Sequence, residues 1–244
     1  MQGDQHRQHI SEQFNAELEA MKNHLLEMGG LVEQQLTLAL GALINRDSGD
    51  AQLVIDRDRE VDQLEMQVDD ECSRILARRQ PAASDLRLVL AVARSTTDLE
   101  RIGDEAVKIA RQGIKLSELE SFGGGIGEFR QLGQHVSQML RHSLDSFARL
   151  DTNRAFDVVV DDGNVDDEYD LATESLVAEV QRDNTQVRAA FHLMWALKGL
   201  ERIGDHATNI AEQVIYLVSG RDVRHTSKIE LRSLMKIDTG VTPS

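Results

Sequence analysis

Glu100 and Asp104 stand four residues apart, and Glu201 and Asp205 repeat the pair 101 residues further on. On a helix that spacing puts both carboxylates on one face. Wound at about 3.6 residues per turn, Leu99, Ile102, Ala106 and Ala110 face a core, and Glu100 and Asp104 sit on its shoulder. Asp58, Asp62, Glu65 and Asp69 form a second stripe beside Val61, Leu64, Val68 and Cys72, with no Lys or Arg in the stripe to neutralise it. Its equivalent is Asp162 and Asp166, ringed by Asp161, Asp167, Glu168 and Asp170. Like charges at such spacing cost about 0.2–0.5 kcal/mol per pair. Where two such helices are neighbours, four carboxylates converge and either repel, take up protons or bind a cation. Hard divalent or trivalent ions want several carboxylate oxygens at once. One acidic pair alone is ordinary solvated surface. Repetition at equivalent places and the shoulder position favour metal sites at Asp58, Asp62, Glu100, Asp104, Asp162, Asp166, Glu201 and Asp205.

The other chemistry-bearing residues have structural readings. Arg101 and Arg202 repeat and lie off the core stripe, where an ion pair with a neighbouring helix is expected. Gly103 and Gly204 sit mid-helix, where glycine costs about 1 kcal/mol against alanine, so either tight helix packing or a close metal–water cluster is expected there. His206 has Glu105 as its counterpart and reads as a surface histidine; His24, His135 and His142 show no constellation. Phe191, Met194 and Trp195 fall in the most apolar segment and read as core, and Cys72 as buried and inert.

The elements that must position these groups come in duplicate. Leu99-Glu100-Arg101-Ile102-Gly103-Asp104 recurs as Leu200-Glu201-Arg202-Ile203-Gly204-Asp205, and Ala106, Ile109 and Ala110 recur as Ala207, Ile210 and Ala211. Upstream the offset becomes 104 (Val61-Asp62 against Val165-Asp166), because the first copy has a longer turn, Arg79 to Ser84. Ser84 ahead of an apolar run reads as a helix N-cap.

Each copy divides into three helices. In the first, Phe14, Leu18, Met21, Leu25, Met28, Val32, Ala39 and Leu43 form a bundle-facing stripe. A second helix is predicted over about 51–77 and a third over about 85–116, with the turn Asn45 to Asp50 between the first two. Phe129, Leu132, Val136, Met139, Ser143, Phe147 and Leu150 start the second triplet, followed by helices over about 154–182 and 186–219. Long helices with short turns pack as antiparallel neighbours. The expected architecture is all-α, two tandem three-helix bundles: 1–122, a flexible glycine-rich linker at 123–127, 128–220, and a polar tail at 221–244 with a short helix over Lys228 to Lys236.

Composition agrees. Aromatics are 4% and prolines two, while hydrophobic residues reach 41%, enough for a sizeable core. The net charge of -15 repels phosphate backbones, so nucleic acid is an unfavourable partner, and cations or basic protein surfaces suit it better. A single cysteine allows no internal disulfide and fits a reducing compartment. Met1 to Gln13 has no apolar signal core, and the longest apolar stretches, 86–93 and 189–197, fall short of the roughly 20 residues a transmembrane span needs.

The duplicated Leu-Glu-Arg-Ile-Gly-Asp, the segment from Ala77 to Arg87 and the run Gly220-Arg221-Asp222-Val223-Arg224-His225 resemble the PhoU family, over roughly residues 10–225. The resemblance implies two three-helix bundles and Glu/Asp-x-x-x-Asp motifs that map to the eight residues named above, binding iron, zinc, manganese or magnesium in multinuclear clusters. It also implies a cytoplasmic, non-enzymatic repressor of the phosphate-starvation response; an exposed bundle face suits a homodimer. That repressor would link the phosphate ABC transporter at the inner face of the membrane to its sensor histidine kinase. The chain departs from an even repeat where Glu65 and Asp69 face Tyr169 and Thr173, so the two sites are expected to differ.

Competing classes have weaker support. A di-iron oxidoreductase on a ferritin-like bundle needs Glu-x-x-His, and no histidine here has Glu three residues before it. Metal-assisted hydrolysis has neither a phosphate-cradling glycine loop nor a Ser or Cys nucleophile pattern. A metal-buffering protein fits the carboxylates but predicts no dependence on partners.

Overall fold

The structure, a computed structural model, describes residues 2–119, 124–224 and 226, with side chains from Glu12 onward. Six α-helices account for nearly all of it: α1 (Gln2–Asn45), α2 (Ser48–Arg79), α3 (Ala83–Ser117), α4 (Ile126–Arg149), α5 (Thr152–Arg182) and α6 (Val187–Ser219), with a single 3₁₀ turn at Asn184–Gln186 before α6. No strand occurs among the described residues. The short helix expected over Lys228 to Lys236 lies outside them.

The connections repeat as the sequence does. At the end of α1, Arg46 takes a left-handed conformation (φ 57°), and the Asp47 carboxylate accepts from the amides of Gly49 and Asp50 to start α2. At the end of α4, 104 residues on, Leu150 is left-handed (φ 54°), and Asp151 accepts from the amides of Asn153 and Arg154 to start α5. An Asp at the N-cap satisfies amides that the helix itself leaves free, worth about 1 kcal/mol. Leu150 is thereby drawn out of its expected core stripe and is 44% exposed. The α2–α3 turn differs from expectation: Ala82 is the N-cap, with no side-chain hydrogen bond, and the Ser84 hydroxyl turns to Asp85 instead.

Within each copy the three helices pack on one another, α1–α2–α3 and α4–α5–α6, and the two bundles join through α3 against α6 and α1 against α4. The α1–α4 contact obeys a local pseudo-twofold. A Cβ on Gly29 would meet Leu144 at 2.6 Å, and one on Gly133 would meet Leu40 at 2.7 Å; Gly29 and Gly133, like Leu40 and Leu144, are 104 residues apart. Each copy supplies the notch and the leucine that fills the other's, an isologous arrangement within one chain. The predicted stripes are buried: Met21, Leu25, Met28 and Val32 in α1, and Phe129, Leu132, Val136, Met139 and Phe147 in α4, with Leu36 filling the gap in the α1 pattern. Removing a ring such as Phe129 or Phe147 from such a core costs about 3–5 kcal/mol.

The described end of the glycine-rich stretch is packed rather than free. Gly125 has φ +77° and is buried, and a Cβ there would lie 2.5 Å from Leu176 and 2.9 Å from Leu193. Only glycine offers both that dihedral and that proximity, so the residue seats α4 on α5 and α6.

Candidate metal centre

In the first bundle α2 and α3 turn their acidic stripes toward each other. Val61, Val68, Leu99 and Ile102 are buried on the inner sides of the two helices, which leaves Asp58, Asp62, Glu65, Glu100 and Asp104 along the seam between them. Asp58, Glu65 and Glu100 are half-buried; Asp62 and Asp104 reach solvent. Asp58 is also tied from below: Gln35 of α1, only 7% exposed, donates from Nε2 to Asp58 Oδ1 at 2.8 Å. Gly103 makes room for this, since a Cβ there would stand 3.1 Å from Gln35 Oε1 and 3.6 Å from Asp58 Oδ1. The glycine serves the close approach of α1, α2 and α3, the packing reading of the two that its spacing allowed.

The electrostatics record the convergence. Burial, then Asp62 and Asp104, push the Asp58 carboxyl above its ordinary value, against the opposing Gln35 hydrogen bond and Arg111. Glu65 is pushed up by burial and by Asp69, Asp62 and Asp104. Glu100 is pushed up by burial and by Asp104, Glu65 and Asp62, with Arg101 opposing. Carboxylates on different helices thus destabilise one another's charge across the seam, which is the condition a cation relieves.

The second bundle repeats the arrangement with other neighbours. Asp162 and Glu201 are half-buried, and Asp166 and Asp205 are more open. Asp162 accepts from the Thr208 hydroxyl at 3.1 Å. Burial, then Glu201, Asp162 and Asp166, push Asp205 up to about 6. Lys198, whose counterpart in the first copy is Thr97, places Nζ 2.6 Å from Glu201 Oε2 and lies 5.5 Å from the centre of the Tyr169 ring. Gly204 packs against Val165, whose Cγ1 would stand 3.1 Å from an added Cβ.

Among the described residues no three His, Cys, Asp or Glu side chains close into a ready ligand shell. The donor chemistry nonetheless fits a hard cation: oxygen only, from two facing helices, with charges that raise one another's pKa. In this arrangement the side chains line the seam without closing on a point.

Two segments of the chain, residues 25–113 and 129–214, match the PhoU domain. The phosphate-specific transport system accessory protein PhoU homolog of Pseudomonas aeruginosa is 50% identical over 232 residues, 95% of this chain and 96% of that one. The accessory protein PhoU of Escherichia coli K12 is 41% identical over 231 residues, covering 93% and 94%. The chain belongs to the PhoU family. The crystal structure of PhoU from P. aeruginosa superposes with a TM-score of 0.84 at 51% identity, covering 85% of this chain and all of that one. That of the phosphate transport system regulatory protein PhoU from Streptococcus pneumoniae gives 0.80 at 28%, covering 86% and 99%.

Both PhoU repeats contain polar contacts that the sequence pattern did not disclose. His135, on α4, is no isolated histidine: its Nε2 is 2.9 Å from Asp161 and its Nδ1 3.3 Å from Glu168, both on α5. Burial alone would lower its pKa, but the two carboxylates outweigh it and raise it. His24 likewise meets Glu71 at 2.9 Å. His206 is buried at 8% exposure, its Nδ1 2.9 Å from Asp98 across the α3–α6 seam, so the surface reading fails. The reason is register: position 206 faces α3, as its counterpart Glu105 faces α6 and meets Arg202 at 2.9 Å. Arg202 therefore makes the expected ion pair, while Arg101 is exposed and makes none among the described residues. Cys72 is buried, with its thiol pushed up to about 12 by burial and by Asp69 and Glu71, so it is inert as a thiolate. Lys198 could have been found by aligning the repeats, which set a lysine beside one acidic site and a threonine beside the other.

Proposed function

We propose that the chain is a negative regulator of the phosphate-starvation response that couples the phosphate ABC transporter to its sensor histidine kinase. It would do so by binding proteins in the cytoplasm, as a homodimer and without catalysing a reaction, and would thereby moderate phosphate uptake. The observation that carries this reading is near-complete coverage at 50% identity of a relative named as a phosphate-specific transport system accessory protein. The S. pneumoniae protein of the same fold is itself named a regulatory protein of phosphate transport. No described helix is long and apolar enough to cross a membrane, which suits a role exercised through partners. The α2–α3 and α5–α6 carboxylates would hold the cations, whose charge would tie each helix pair together. Such a switch works only if the protein binds two states of a partner with different affinity.

Deleting the gene tests the reading. With phosphate plentiful, the deletion strain is expected to derepress a phosphate-uptake reporter at least tenfold, and the restored gene to silence it. Full repression in the deletion strain would defeat the proposal.

A further inference from the structure

Phe191 and Trp195, expected in the core, are each 57% exposed. They stack edge to face with centroids 6.1 Å apart on the outer side of α6, beside a cleft of about 510 Å³ between α6 and α3. The rim of that cleft carries Lys108 and Lys115 from α3 and Arg202 from α6, and the stem of Lys198, whose ammonium is turned to Glu201. Arg188 lies two turns before Trp195 on the same helix. In a chain of net charge -15 such a cluster runs against composition. Glu105 beneath it, 4% exposed, is shared by Arg202 at 2.9 Å and Lys108 at 3.1 Å. Lys115 and Arg188 have no carboxylate partner among the described residues. Their field joins burial in lowering the pKa of His192, which is held by Gln112 at 2.9 Å.

The repeat supplies a control. The α3–α6 seam is a pseudo-twofold contact, so its other end carries the counterparts of these residues. There Leu90 stands for Phe191, Arg94 for Trp195, Thr97 for Lys198, Asn209 for Lys108 and Tyr216 for Lys115, while Arg87 and Arg101 keep the charge of Arg188 and Arg202. The same helix pair packs there without exposed aromatics beside a row of lysines. Folding therefore does not require the feature, and exposed Trp with flanking cations is the composition of a binding surface.

The geometry points to this cleft as a docking surface for an acidic segment of a partner protein, with a large apolar side chain of that segment set against Phe191 and Trp195. The inference rests on the reading that the protein acts by binding partners. Charge decides the occupant. Fourteen residues of helix separate Arg188 from Arg202, about 21 Å. A compact anion cannot touch cations spread so far, whereas an extended segment of about six residues spans them with carboxylates at intervals. The apolar side chain supplies what exposed ion pairs alone do not, because those are individually weak.

The test uses the full chain and a fluorescein-labelled ten-residue peptide of Glu and Asp with one central Trp. Saturable binding is expected, weakening at least tenfold between 50 and about 300 mM salt, and at least tenfold weaker again for the Gln/Asn version of the peptide. K115E/R188E and W195S should each weaken it at least tenfold with helicity and melting temperature unchanged, while the exposed Arg101→Glu leaves it as it was. Absence of saturable binding, or equal binding by K115E/R188E, overturns the inference, as does displacement of the peptide by ATP at concentrations where the Gln/Asn peptide has no effect. In cells, K115E/R188E/W195S is expected to derepress the uptake reporter as the deletion does. If the deletion derepresses and this allele represses fully, the docking surface falls and the regulator stands. If the deletion itself has no effect, the regulator falls, and the peptide titration alone decides the cleft.

Discussion

The two acidic seams descend from one repeated pattern, and what separates them is the company each set of carboxylates keeps. In the first, Asp58, Asp62, Glu100 and Asp104 are joined by Glu65 and Asp69, with Arg111 acting on Asp58 from further along α3. In the second, Tyr169 and Thr173 take the places of Glu65 and Asp69, Lys198 sits against Glu201, and Glu212 stands where Arg111 does. The first seam is richer in oxygen donors, and the ammonium nearest it, Lys108, stands 3.9 Å from Asp104 and closer, at 3.1 Å, to Glu105. The second carries its own counter-charge in Lys198. Duplication thus kept the helices and their facing stripes, while neighbours one turn away set how much uncompensated negative charge each seam carries.

The largest effect should come from emptying the seams separately. Titrating manganese(II) or zinc(II) into chelator-treated protein, we expect D58N/D62N/E100Q/D104N to weaken the tighter binding phase at least a hundredfold. The matching set D162N/D166N/E201Q/D205N should weaken only a looser phase. Conversely, Y169E/T173D/K198T should tighten the second seam roughly tenfold, about 1.4 kcal/mol. Equal losses from the two quadruple variants would erase the asymmetry, and a wild-type protein that binds neither ion would remove metal from the account.

How much of this was readable in advance follows from what repetition can and cannot encode. Six helices, their order and the carboxylate stripes were legible because apolar spacing and acidic spacing share the helical period, and because each was written twice. The exposure of Phe191 and Trp195 was not: their segment is apolar on both sides of the helix, so hydrophobicity alone could not say which side faces the core. Nor was the role of His206, since its partner Asp98 lies 108 residues away on another helix and only the α3–α6 contact brings them together. Ser84 misled because the α2–α3 turn closes two residues earlier, at Ala82.

A smaller effect separates the seams by pH. Burial, then Asp222, Asp162 and Asp98 against the opposing Arg224, push the Glu212 carboxyl up to about 7 from an ordinary 4.5. A folded-state value above the unfolded one means that the folded protein holds the proton more tightly. That stability is complete below about 4.5 and is lost as pH rises through about 7. Asp205, pushed up to about 6, acts in the same direction. Glu212→Gln should therefore raise the melting temperature of the chelated protein by a few degrees at pH 8 and leave it unchanged at pH 4.5. Arg111→Gln should do the reverse at pH 8, because it withdraws a cation that favours the charged Asp58. Shifts of the same sign would mean that the two positions are not opposed.

The smallest expected difference concerns the glycines of the duplicated motif, and it asks whether the two seams are equally rigid. Alanine at either position gains about 1 kcal/mol of helix propensity. At Gly204 the added methyl meets Val165 Cγ1 at 3.1 Å, on a β-branched side chain 1% exposed, so crowding of about 1–3 kcal/mol outweighs the gain. At Gly103 it meets the terminal oxygen of Gln35 at 3.1 Å, and that side chain can turn at the cost of its bond to Asp58. Gly204→Ala should then destabilise by about 1 kcal/mol in urea titration, and Gly103→Ala should be close to neutral. Equal losses would show that Gln35 is held as firmly as Val165. The Gln35–Asp58 contact would then be a fixed part of the first seam, able to hold Asp58 in place whether or not a cation is bound.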